Sequence, residues 1–442
     1  MKKINMFILT VILFFIPTNI FAKDNKLDSS LNEDEFVVYV AKDGLYISTL
    51  QENSITMLDK GNKIKNPLIS KNGDKVAYIK NDDLYVCDIK KADIVKVDSS
   101  AMSYTWNNAG ELVYSTEDKG MSLYNSNTKK SEKIINNEYY YYNINFNSKD
   151  LIYANKRPEY GAKSTSLQDM GIISYSLSNK EEKLLLSGVP TTIIAIGSTP
   201  NISRISRDDK YIYIWNKPNS ASMSADVNEF AVYDVVNNKF IQFNSGEKNF
   251  DLDNNKNMNA LAYKNNISPN PVDSNIIAII KGGGREMFAD KTLGILDIKT
   301  AKFTEVPFKD KVEMMPCYSE DGKKILFSVT KSLEYDMEKG NVPILRIWQN
   351  QPHYIYEVDA ETLNKRQITS SKYFDFMPRY IKYDEILFVR AIGDSFSLWK
   401  TKNGIETKLA DNLSFGVEDY TSSWYYGHYK TEKVIDLFIK DR

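Results

Sequence analysis

"YSEDGKKILFSVT", Tyr318 to Thr330, sets a Ser-x-Asp-Gly turn between two short runs rich in aromatic and β-branched residues. "ISKNGDKVAYIK", Ile69 to Lys80, is a weaker copy. Asp or Asn followed by Gly supplies the positive φ angles that tight, two-residue hairpins need. The turn therefore predicts a β-hairpin, and its recurrence predicts an array of them. Aligned on a turn followed by an apolar strand, about eight copies start at Asp34, Asn72, Asn108, Ser148, Arg207, Val272, Glu320 and Lys382. Their spacing is roughly 36 to 65 residues, near or above the usual propeller period.

Each copy goes on to a second strand, a polar turn and a third, as in "DLYVCDIK" (Asp83 to Lys90) and "DIVKVD" (Asp93 to Asp98). A strand-like run also precedes each turn, so the unit is four short strands. A four-stranded sheet cannot bury both faces alone, and radial stacking covers them. The expected fold is an all-β propeller of four-stranded blades, with eight blades and seven as the alternative. A sandwich would not repeat one four-strand unit. The first copy lacks an innermost strand, whereas the tail carries surplus runs, "SSWYYGHY" (Ser422 to Tyr429) and "KVIDLFIK" (Lys433 to Lys440). One of these is expected to pair beside Phe36 to Val40 and close the ring.

The spelling Pro316, Ser319, Asp321, Gly322, Lys323, Ile325, Phe327, followed by Ile355-Tyr356, Asp359 and Ile368-Thr369, resembles the WD40-like repeat of TolB-type propellers. Pro67, Ser70, Gly73, Lys75, Val76 and Tyr78 match it too, with Asn72 in place of Asp. The resemblance implies the fold and says little of function, because these are turn and core positions. The chain departs from TolB in leaving no room between Ala22 and Phe36 for an N-terminal α/β domain. By the same reading, the hydrolase domain that follows similar propellers in prolyl-oligopeptidase-type enzymes is not expected here.

The 442 residues carry 57 basic and 58 acidic side chains, so no global field points to nucleic acid or an anionic membrane. The 29 Tyr and 20 Phe favour strands. At the start, Lys2 and Lys3 precede "MFILTVILFFI" (Met6 to Ile16), then Pro17 and Ala22. This reads as a secretory signal peptide over 1–22, too short for a comfortable transmembrane helix of ~20 residues. An uncleaved anchor is the alternative. Residues 23–442 then form one exported domain, periplasmic or secreted, with no further membrane span and expected to be a monomer. Cys87 and Cys317 lie in strand-like runs far apart, which favours free buried thiols over a disulfide.

Chemistry is sparse. There is no Gly-x-Ser-x-Gly, and His353 and His428 are the only imidazoles, each read as a packing or surface residue. No metal or cofactor site is expected. "KGGGRE" (Lys281 to Glu286) lacks a phosphate-loop ending, and "DLDNNKN" (Asp251 to Asn257) lacks the Gly and Glu of a calcium loop. "EYYYYN" (Glu138 to Asn143) reads as core filling at a first strand. Two long insertions, Lys156 to Gly171 and Lys331 to Gln351, read as loops, the second apolar enough ("VPILRIW") to cover the channel mouth or hold a partner.

First strands line the channel of this fold, so their entrances are where a ligand would meet side chains. Glu313, Asp375 and Arg379 are charged residues there and are the candidate ligand-binding site. The competing account pairs Asp375 with Arg379 or with a neighbouring blade. The expected role is a non-enzymatic binding scaffold for a protein or small ligand. The alternative is a channel-sited enzyme, such as a lyase or glycan-acting hydrolase.

Overall fold

The repeated turn is built around its serine. Ser319 Oγ donates to Asp321 Oδ1 (2.7 Å) and accepts from Lys324 N (2.9 Å), and Gly322 N bonds back to Ser319 O. Ser70 does the same for the second copy, accepting from Lys75 N, and Ser206 accepts from Tyr211 N. In the third and fourth copies Asn107 and Asn147 take the place of serine, accepting from Glu111 N and Leu151 N. Ser319 N also bonds Lys324 O, so four residues, not two, lie in the loop. The two-residue reading is corrected: a polar side chain at the first turn position braces a longer loop. The glycine is still required. Gly322 has φ 69° and Gly73 φ 74°, and a Cβ on Gly73 would meet the Phe438 ring at 2.5 Å.

The structure, a computed structural model, describes residues 34–51, 54–158, 171–194, 196–219, 229–243, 266–282, 286–306, 308–333, 341–382, 384–415 and 429–440. These form eight four-stranded antiparallel sheets arranged as an eight-bladed β-propeller. Blade 1 holds Glu35–Ala41, Gly44–Thr49 and Ile55–Lys60. Blades 2 to 8 begin at Ile64–Ile69, Ala101–Trp106, Tyr140–Phe146, Ser198–Ile205, Ile267–Pro269, Lys311–Tyr318 and Phe374–Lys382. The first strand of blade 1 comes from the chain end: Ile435–Ile439 pairs antiparallel with Glu35–Tyr39. Phe36 and Phe438 stack at 4.9 Å across that seam.

Burial explains why the second strands read as unbroken apolar runs. "KVAYIK" (Lys75–Lys80) is buried at four successive positions, because a radial sheet has a neighbour on both faces. Outer strands such as Lys130–Ile135 are largely exposed. Tyrosines bridge blades with the ring in the core and the hydroxyl at a rim acid. Tyr78 donates to Asp59 Oδ2 (2.7 Å), Tyr114 to Asp98 Oδ2 (2.9 Å) and Tyr380 to Glu357 Oε2 (3.1 Å). Tyr141, within the tyrosine run, is buried and donates to Glu182. Cys87 and Cys317 are free and buried.

The blade 7 insertion is a helix where the sequence reading had a loop. α1 spans Asn341–Asn350. Ile344 and Trp348, four apart, bury on one face while Ile347 stays 58% exposed. Trp348 and His353 pack edge-on at 4.8 Å, and His353 stacks on Phe374 at 3.7 Å, where blade 8 begins. His353 is thus a packed core residue. Burial pushes its imidazole down to about 3, so it is neutral, and Nδ1 faces Gln351 O at 2.9 Å. His428, the calcium-loop-like stretch 251–257, residues 283–285 of the glycine run, 159–170 of the first insertion and 1–33 lie outside the described residues.

Closure rests on a side chain as well as on a ladder. Asp436 Oδ2 accepts from Ile69 N of blade 2 (2.7 Å), and Oδ1 accepts from Leu437 N (3.0 Å). Burial raises this carboxyl to about 6 against the pull of those two donors. A folded value above the unfolded one means the fold favours the protonated form. Stability from this group is full below about pH 4 and lost as pH rises through about 6. Asp436→Asn keeps an acceptor for Ile69 N. It should therefore remove a loss of about 3 kcal/mol between pH 4 and 7, read by urea unfolding at both pH values. Equal pH dependence in the two proteins would refute it.

Candidate functional site

The channel surface is set by a recurrent bulge in the first strands. Strand pairing slips between Tyr142 and Asn145 in blade 4, Ile202 and Arg204 in blade 5, Met314 and Cys317 in blade 7, and Phe376 and Arg379 in blade 8. Asn143, Met315 and Met377 occupy positive φ at the slip, between 49° and 55°, which is uncommon for methionine. Pro316 and Pro378 follow two of them, disfavouring the right-handed helical region for the residue before and offering no N–H to the ladder. A bulge bends the strand and re-aims the side chains beyond it.

The residues that resume the register are Asn145, Arg204, Cys317 and Arg379, and all four line one cavity of about 570 Å³. Ser203 and Ser268 of blades 5 and 6 join them, as do Ile435, Asp436 and Leu437 of the closing strand. Glu320 and Pro271 also line it, which places the cavity on the side of the ring that carries the braced turns. On the opposite side, where first strands begin, an aromatic cluster gathers Phe374, Phe376, Phe396 and Phe415 around Tyr429. Gln349 of α1 donates to the Tyr429 hydroxyl (2.7 Å). Between Tyr429 and the closing strand lies a single 3-10 turn, Thr431–Lys433, whose Thr431 and Glu432 face the cavity.

The electrostatics of the cavity are mixed. Burial, then the charge of Arg379, pushes the Arg204 guanidinium down to about 10, while Glu432 acts in the opposite sense. Arg379 Nη1 donates to its neighbour Pro378 O (2.8 Å), its one hydrogen bond among the described residues. Ser203 is 3% exposed, and its Oγ has no hydrogen-bond partner among the described residues.

Of the three residues expected at the site, only Arg379 lines the cavity. Asp375 is fully buried and does not pair with Arg379. It takes a two-pronged ion pair from Arg390 (2.7 and 2.9 Å), its direct partner on the second strand, and Ser371 donates to Oδ2. Arg390 also reaches Glu406 (2.8 Å) and lies 4.7 Å over the Trp399 ring. Glu313 turns toward blade 6, where Oε2 accepts from Leu293 N (3.0 Å), and burial pushes it up to about 8. The reason is the pleat. Before the bulge, side chains of a first strand alternate between the two neighbouring blades, and from the bulge onward they line the cavity. Arg204 was missed because "NISRIS" carries no Pro. Its signal was its place three residues before Arg207-Asp208-Asp209, the start of the fifth copy.

Residues 26–149, well under half of the chain, match the family described as the dipeptidyl peptidase IV (DPP IV) N-terminal region. No curated protein sequence matches the chain. Among solved structures, a dihydro-heme d1 dehydrogenase is similar at TM-score 0.56 and 11% identity, over 86% of this chain and 74% of that one. Dipeptidyl peptidase 4 of Porphyromonas gingivalis is similar at TM-score 0.54 and 8% identity, over 89% of this chain and 59% of that one. A putative TolB from Agrobacterium tumefaciens reaches TM-score 0.37 at 10% identity, over 86% and 90%. The first two likenesses are of fold alone. They agree with the eight sheets in making this chain a β-propeller protein. No helix among the described residues is long and apolar enough to cross a membrane.

The two cavity-side and core-side arginines should separate cleanly. Arg390→Ala leaves Asp375 charged and buried, and should cost about 3–5 kcal/mol in urea unfolding. Arg379→Ala removes a side chain bordering the cavity, and should change stability by less than about 1 kcal/mol. The reverse ranking would return Arg379 to the packing.

Proposed function

We propose that this propeller is an exported, non-enzymatic binding scaffold that holds a small polar ligand in the cavity on the braced-turn side of the ring. The observation that carries the reading is the convergence of four post-bulge residues, from four blades, on one cavity. A volume of about 570 Å³ falls in the range of small-molecule sites, which are walled by the fold and oriented by a few polar groups. Export rests on the basic, apolar and Ala22-terminated segment at the start of the chain. The Ser-x-Asp-Gly spelling of blade 7, with Asn for Asp in blade 2, supports kinship with TolB-type WD40-like repeats. Glu313 and Asp375 support the scaffold from between the blades, and Arg379 meets the ligand.

Thermal-shift screening of residues 23–442 against small polar metabolites tests the reading. At least one compound should raise the melting temperature by several degrees, and Asn145→Trp, which fills the cavity, should abolish the shift. A shift that survives Asn145→Trp would place binding elsewhere, and turnover of a bound compound would replace the scaffold with an enzyme. Export is tested by intact mass: the exported protein should begin at Lys23, and retention of the full-length chain would refute cleavage.

A further inference from the structure

Arg379 is a charge of the cavity wall. It is half-buried, it stands in the channel, and among the described residues no carboxylate lies within ion-pair distance of it. The like charge of Arg204 is close enough to be felt by it. A guanidinium withdrawn from water without a counter-charge is costly. The acids nearby are engaged elsewhere. Glu320 pairs with Arg207, and Asp436 accepts from Ile69 N and Leu437 N. Glu432 stands toward Arg204, favouring its charged form. Hydrogen-bonding groups complete the wall. Ser203 Oγ is buried without a partner among the described residues, and Ser268 Oγ accepts from Tyr318 N, leaving its proton to donate.

We propose that the cavity binds a ligand carrying two or more carboxylates, one bonded by the Arg379 fork and another drawn to Arg204, with Ser203 and Ser268 donating to their oxygens. The planar guanidinium fork matches a carboxylate with two parallel hydrogen bonds, which an ammonium cannot reproduce. A cation would be repelled by both arginines, and a neutral sugar would leave the Arg379 charge uncompensated. Glu432 competes with the ligand for Arg204, so it acts as a counterion that the ligand displaces.

This inference rests on the cavity being the ligand site, and citrate is the probe. Calorimetry at constant ionic strength should show citrate binding to residues 23–442 more tightly than acetate, weakening as salt is raised. Arg379→Gln should weaken binding at least tenfold. Arg379→Lys keeps the charge and loses the fork, and should weaken it severalfold with an unchanged melting temperature; it decides the matter where Arg379→Gln does not fold. Glu432→Gln should tighten binding severalfold, which a merely structural arginine would not produce. Citrate binding that is unaltered in Arg379→Lys and Glu432→Gln would overturn the assignment. So would citrate binding no tighter than acetate. If neutral or cationic compounds bind and Asn145→Trp blocks them while citrate stays inert, the cavity is a ligand site and the carboxylate assignment alone fails. If no compound of any charge binds, both readings fall together.

Discussion

A four-stranded sheet with two apolar faces has no stable existence alone, and every other feature of this protein follows from that. Each blade must find a neighbour on both sides, so the row of sheets has to meet itself. The meeting point is the pairing of Ile435–Ile439 with Glu35–Tyr39, the two ends of the chain in one sheet. An open ring would expose two strand edges and the flanks of blades 1 and 8, a template for association with other chains. The largest buried cluster gathers around that seam, running from Phe36 and Val38 through Phe374 and Phe376 to Val434 and Ile435.

Packing between blades is apolar, but polar side chains set the register. Ser115 donates to Tyr141 O, Asn155 to Pro200 O and Ser328 to Asp375 O, each tying a second strand to the first strand of the next blade. Asp436, on the first strand of blade 1, ties it to the first strand of blade 2 by accepting from Ile69 N. At the slips of blades 4 and 5, Ile144 N donates to Ser103 Oγ and Ile202 N to Asn155 Oδ1, pairing backbone groups where the ladder is interrupted. A bulge without such a partner would leave buried donors or acceptors unpaired, at about 1–3 kcal/mol each. The bulge, the stitch and the channel-facing residue after it are therefore one device. The slip that re-aims Arg379 comes after Asp375, which stays in register and buried against Arg390.

The division between stability and binding follows this geometry. Asp375, Arg390 and Glu313 are charged or titratable and deeply buried, the first two paired within blade 8 and Glu313 bonded to blade 6. Arg379 and Arg204 project beyond the bulge into the cavity, where water or a ligand reaches them.

Much of the fold was legible because it is written in local chemistry. The braced turns at Ser70 and Ser319, the unbroken apolar second strands and the surplus strand at the tail are each properties of a few neighbouring residues, and eight repetitions made them mutually consistent. The true loop length was not legible, since Asp-Gly is spelled the same whether a serine braces the turn or not. Nor was α1, where Ile344 and Trp348 needed an aromatic surface from blade 8 before one helical face could be buried. The site was legible only as a region. Glu313, Asp375 and Arg379 sit close together in any alignment of first strands, and sequence has no term for the face to which each one points. That was decided by the bulge at Met377 and by the neighbouring blades, because the pleat fixes alternation but only the assembled ring says which side of a strand is core and which is channel.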